Sequence, residues 1–305
     1  MTPTSLEELL LCSGAAALQL SGAAQSAWNG QVVDARDGVL GLAHWDGTLH
    51  LDRETILDPL REMYALAGKH HPPTLLAHYR EALATLLHEH SHFLGPPGAT
   101  QEAARIAFTR PGSRQLEEGI AEAWSQDHLT AYLTSLGIHK VAPGIENLRT
   151  VGYYPAYVTA ARLLTTDLDT RNNLTPGTTL HTLNNQTAEH QLPALVTLYY
   201  LSTPLPTLEP TGAPTREHLE SLLRTTLPAL DAQTLLPHPQ ATTQARQLTH
   251  SLLTRLHTDL TRATTFYKAF AGLPTPNPNH PTTPTSAGTR SRKLTHPAPQ
   301  LQRGS

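Results

Sequence analysis

Apolar residues recur at helical spacing over most of this chain and at strand spacing over one short stretch. From Ser5 to Ala27, the run SLEELLLCSGAAALQLSGAAQSA predicts an amphipathic N-terminal helix. Residues 28 to 52 differ. VLGLAHW, the Asp46-Gly47 pair and TLHLD read as a β-hairpin with a tight turn, and QVVDA as a further strand. RETILDPLREMYALAGKH then predicts a helix ending near Gly68, broken by His70-His71-Pro72-Pro73. Thr74 is placed to cap the next helix, which runs to about Leu94. Its apolar positions are Leu75, Leu76, Tyr79, Leu83, Leu86, Leu87, His90 and Phe93, and Gly95 at C′ precedes Pro96-Pro97-Gly98.

A second well-marked helix is predicted from Ser113 through RQLEEGIAEAWSQDHLTAYLTSLG. Further helices are expected over YPAYVTAARLLTTDL, EHQLPALVTLYYLS, TREHLESLLRTTLPAL and residues 240 to 271. Residues 273–305 are rich in Pro, Thr and Ser, and that composition predicts a disordered tail. The organisation expected is an N-terminal helical segment (1–30), a core (31–150), a helical subdomain (151–272) and the tail (273–305). No internal repeat is visible.

Composition narrows the function. The chain has 305 residues, a formal charge of −3 and 15% charged side chains. That balance does not point to nucleic acid or an anionic membrane surface. Cys12 is the only cysteine, so no intrachain disulfide and no cysteine-based zinc site can form. The N-terminal run resembles the apolar part of a secretory signal, but Glu7 and Glu8 precede it and no Lys or Arg does. A cytoplasmic protein without a membrane span is therefore expected, and residues before Gly30 are candidates to cover a cleft as a propeptide would.

The candidate chemistry lies in HEHSH, residues 88 to 92. His88 and His92 are spaced i, i+4, which puts both imidazoles on one helical face. Two such nitrogens can hold one Zn²⁺ at about 2.0–2.1 Å, and Glu89 follows His88 where its carboxylate can reach a metal-bound water. His90 points about 160–200° away, given ~100° per residue, and is read as a packing or hydrogen-bonding residue.

A catalytic zinc site takes a third protein ligand. The metzincin pattern would place a histidine where Gly98 stands and a methionine downstream, yet the only methionines are Met1 and Met63. The alternative is a glutamate from a second helix. Glu118 lies 26 positions beyond His92, with Glu122 one turn further on the same face to receive the other N–H of a ligating histidine. Gly119 and Ala121 would let the two helices pack closely. Glu117 competes for the ligand role; Glu118 is preferred because only it has a carboxylate four residues on.

With His88, Glu89, His92, Glu118 and Glu122 in this order, the chain resembles the gluzincin group of zincin metallopeptidases over roughly residues 38 to 130. The resemblance implies an α+β, zincin-like fold. A small N-terminal sheet would pack on the active-site helix, its edge strand would receive an extended peptide substrate, and a mostly helical half would follow. It also implies Zn²⁺ held by His88, His92 and Glu118, Glu89 as general base and Glu122 as supporting carboxylate. Tyr153, Tyr154 and Tyr157 are candidates to stabilise an oxyanion, Tyr154 and Tyr157 foremost, although such tyrosines are more often core residues. His128 and His139 are weaker candidates. The competing functions are a catalytically inactive zincin-like domain that binds a protein partner, and a helical interaction protein with no metal.

Overall fold

A computed structural model describes residues 2–35 and 38–272; the predicted tail lies outside the described residues. The helices are α1 (Leu6–Ser21), α2 (Asp58–Ala65), α3 (Pro73–His92), α4 (Gln101–Phe108), α5 (Ser113–Ser135), α6 (Ile138–Val141), α7 (Pro155–Arg171), α8 (Thr178–Asn184), α9 (Ala188–Leu201), α10 (Leu205–Leu208), α11 (Thr215–Thr226) and α12 (His238–Ala271). The strands are β1 (Gln25–Ser26), β2 (Val32–Asp34), β3 (Gly41–Ala43), β4 (Leu49–Leu51) and β5 (Leu94–Gly95). Among the described residues no helix is long and apolar enough to cross a membrane.

The fold is α+β: a small mixed sheet packs on α3, and a mostly helical region follows. The predicted hairpin forms, with Leu42 opposite His50, and Gly47 supplies the positive φ of its turn. β2 joins β4 in parallel, giving the order β2-β4-β3 and leaving β3 at an edge. That edge lies over α3, whose second half is buried on every face from Leu86 to Ser91. α5 packs on α3 on one side and α7 on the other, and α12 covers α7. One continuous apolar core runs from Leu6 on α1 to Leu260 on α12.

Several boundaries depart from the sequence pattern. Thr74 does not cap α3; Pro73 occupies the first turn, where its missing N–H leaves no bond unmade. Gly95 is not a left-handed helix stop. The helix ends at His92, and Gly95 pairs with Gln25 across the short β1–β5 ladder. The segment predicted as one helix from Arg53 starts as a wider turn over Arg53–Leu57, with Asp52 accepting from the Thr55 N–H, before α2 begins. α4, α6, α8 and α10 have no counterpart in the sequence pattern; each is under three turns, too short to show a clear period.

The N-terminal helix is part of the core and does not cover the cleft. Leu6, Leu9 and Ala17 are buried, and Ser13 Oγ lies 2.6 Å from His90 Nε2, on the side of α3 away from His88. His90 thus fills the packing and hydrogen-bonding role expected of it, with the Trp28 ring against its edge. Without a charged partner, burial pushes its pKa down to about 3, so it stays neutral.

Candidate metal centre

The site forms where α3 and α5 cross under the edge of β3. His88 and His92 project from one face of α3, and Glu118 meets them from α5. His88 Nε2 and His92 Nε2 are 3.1 Å apart. Glu118 Oε2 is 3.3 Å from the first and 3.7 Å from the second. Ligands about 2.0–2.1 Å from a tetrahedral zinc stand about 3.3–3.4 Å from one another, so the three donor atoms already have the spacing of one tetrahedral face.

The other nitrogen of each imidazole explains why a cation suits this face. His92 Nδ1 lies 2.9 Å from Glu117 Oε1. His88 Nδ1 lies 2.9 Å from Glu122 Oε2, in a bent contact that is mainly electrostatic. A carboxylate only accepts, so each Nδ1 carries a proton, and each Nε2 is left as the nitrogen that a metal ion could engage in place of a second proton. Two imidazole nitrogens and a carboxylate oxygen converging in a buried space need a positive charge between them, a metal ion or, without one, a proton. Burial disfavours charge on His88, but its contacts with Glu118 and Glu122 outweigh this and hold its pKa well above the usual value. Burial likewise works against Glu118 ionising. The His88 contact and the neighbouring imidazoles win, and its pKa falls.

Glu122 is fixed in turn, accepting from Gln126 Nε2 at 3.0 Å and from the Tyr153 N–H at 2.9 Å. Glu117, read from sequence as a rival ligand, is instead the orienting partner of His92; burial is the main cause that raises its pKa. Replacing Glu117 by Gln keeps the shape and removes the charge. Zinc affinity is expected to fall about 10–100-fold, measured by competition with a chromophoric chelator.

Glu89 stands beside the triad without belonging to it. Its Oε2 accepts from the Ala43 N–H of β3 at 2.8 Å. It is buried, and burial raises its pKa. Gly41 makes the room, since a Cβ there would lie 2.6 Å from Glu89 Cγ and Oε1. Gly41→Ala should therefore leave zinc content intact and lower kcat by up to about 10²-fold through misplacement of one carboxylate. Zinc analysis beside steady-state kinetics checks both halves.

This is a gluzincin-type arrangement: His88-Glu89-x-x-His92 with a downstream glutamate, in the geometry of a zinc metallopeptidase active site. Comparison with known protein families, with curated proteins and with solved structures gave no match. The likeness therefore rests on the motif and on the geometry of these side chains.

The remaining sequence candidates separate. Tyr154 lines the cleft, its ring centroid 6.1 Å from that of His88. It holds a positive φ of 54° at the start of α7, rare for a bulky residue. The negative charge of Glu118, then burial, raise its pKa, so the phenol keeps its proton. Tyr157 is buried behind Tyr154, and its hydroxyl donates to Asp231 Oδ1 at 2.7 Å. Tyr153 is half-exposed and joins the site through its backbone N–H. His128 stacks on Trp124, and neither it nor His139 lines the cleft. Gly119 does not serve the α3–α5 contact. A Cβ there would lie 2.5 Å from the Tyr157 carbonyl, so it permits close approach of α7 to α5.

Proposed function

We propose that the protein is a zinc-dependent peptidase that hydrolyses peptide bonds of an extended substrate. The convergence of His88 Nε2, His92 Nε2 and Glu118 Oε2 beside a buried Glu89 carries this reading. When bound there, zinc supplies a Lewis acid that polarises a carbonyl and brings the pKa of water toward about 7.

The chain's own groups divide the remaining work. Glu89, anchored through Oε2, has Oε1 free to accept a proton from water and return it to the leaving amine. A pKa raised by burial suits a group that must do both. A purely structural metal site would have no use for that carboxylate. Tyr154, which lines the cleft, is the candidate to donate a hydrogen bond to a developing oxyanion, whereas the hydroxyl of Tyr157 is engaged by Asp231.

The cleft suits a peptide. Leu42 and His50 pair across the hairpin, so Gly41 and Ala43 turn their backbone groups away from β4. Glu89 takes the Ala43 N–H, which leaves the Gly41 groups and the Ala43 carbonyl for strand addition by substrate. One lobe of the cleft has apolar walls from Trp45, Phe108, Ala104 and Ala188, fit for an apolar side chain next to the scissile bond. Among the described residues, no position before Gly38 lines either lobe.

Incubation with a diverse peptide library, read by mass spectrometry, tests the proposal. New amine termini should appear with zinc present and vanish when a chelator removes it. Cleavage that persists without metal would overturn the reading.

A further inference from the structure

Away from the candidate metal centre, α3 and α5 border a further cavity that the hydrolytic reading does not use. It measures about 440 Å³, and its polar lining includes Arg80, Thr130, Glu146, Asn147, Arg149 and Thr150. Arg80 is only 6% exposed. Its Nη1 donates to the Ile145 carbonyl at 3.1 Å and its Nη2 to Thr130 Oγ1 at 3.2 Å. Its buried Nε has no partner, and among the described residues no carboxylate forms an ion pair with it.

A buried cation with no carboxylate in contact is costly. Glu146 also lines the cavity and acts on Arg80 through space without an ion pair, while its own Oε2 accepts from the Gly144 N–H. Arg149, exposed on the same loop, adds a second guanidinium. Two cations and one carboxylate leave the cavity with a net positive charge. The Asn147 amide and the Thr150 hydroxyl add neutral donors to the lining, whereas the Gln126 amide is engaged by Glu122.

We infer that this cavity binds a small oxyanion, a carboxylate or a phosphate, between the Arg80 and Arg149 guanidinium groups. Arg80 is held by its two hydrogen bonds and supplies a fixed positive wall. Arg149 closes on the ligand from the solvent side, with the paired N–H geometry that oxyanions favour.

Two sources share this chemistry. Arg80 precedes His88 by two helical turns, about 12 Å along the axis, a distance an extended peptide covers in about three or four residues. The ligand is then either a free oxyanion or the terminal carboxylate of a substrate peptide. Only the second rests on the peptidase reading.

Titration of the full chain with inorganic phosphate and with acetate, at constant ionic strength, tests the site directly. Saturable binding and a rise in Tm are expected from at least one of them. Arg149→Ala should weaken that binding at least about tenfold. Arg149 is exposed, so this variant should fold; Arg80→Gln, checked first by circular dichroism, should also lose binding. Failure of both anions to saturate, or binding unchanged in Arg149→Ala, would overturn the inference.

Peptides with free and amidated C-termini then separate the sources. A lower KM for the free acid, lost in Arg149→Ala, assigns the site to substrate. Equal KM values alongside phosphate binding assign it to a free oxyanion. If no peptide is cleaved at all, the peptidase reading fails while the phosphate titration still decides the anion site.

Discussion

Glu89→Gln is expected to keep its zinc and lose about 10²–10⁴-fold in kcat. The two halves of that result come from different contacts. Glu89 is not one of the three converging donors, so the amide leaves His88, His92 and Glu118 where they are. The swap preserves volume in a buried position, and the amide oxygen can still accept from the Ala43 N–H. Only the capacity to take up a proton is removed. KM should change little, because the backbone edge of β3 and the apolar lobe are untouched. Equal zinc content with a collapsed kcat is therefore the signature. A variant that kept both zinc and full turnover would assign the proton transfer to another group.

His88→Ala is expected to abolish both zinc binding and hydrolysis. It removes one of three donors and leaves Glu118 and Glu122 facing a buried gap without an imidazole. The expected loss of zinc affinity exceeds the 10–100-fold assigned to a supporting carboxylate such as Glu117. Tm should fall as well, because two buried carboxylates lose the group that holds them ionised. Zinc analysis of the folded fraction, with circular dichroism alongside, keeps metal loss separate from unfolding. Zinc retained at wild-type affinity would mean that His88 is not a ligand.

The long helices were legible because each carries a sustained 3.6-residue apolar period, and α3, α5 and α12 stand close to where that period puts them. The hairpin was legible from Asp46-Gly47 between two alternating runs. The β1–β5 ladder was not, since Gln25 and Gly95 pair across 70 residues and neither segment has a strand pattern of its own. The metal triad followed from i, i+4 spacing plus one acidic helix downstream. The preference for Glu118 over Glu117 agrees with the converging donors, but the partnership of Glu117 with His92 Nδ1 was not legible, because neighbouring glutamates differ by about 100° around a helix and spacing alone does not say which meets Nδ1 and which meets Nε2. The Ala43 and Tyr153 N–H groups that hold Glu89 and Glu122 were invisible, since every residue but proline carries the same donor. Tyr154 was named for its hydroxyl, whereas its left-handed backbone, which no sequence pattern marks, distinguishes it from Tyr153 and Tyr157.

Zinc stoichiometry combined with zinc-edge X-ray absorption on the full chain is the most direct test. About one zinc per chain is predicted, with a first shell of two imidazole nitrogens and carboxylate oxygen that is lost in His92→Ala. A protein that takes up no stoichiometric zinc when the metal is supplied, or one whose zinc shell survives that substitution, would contradict the account.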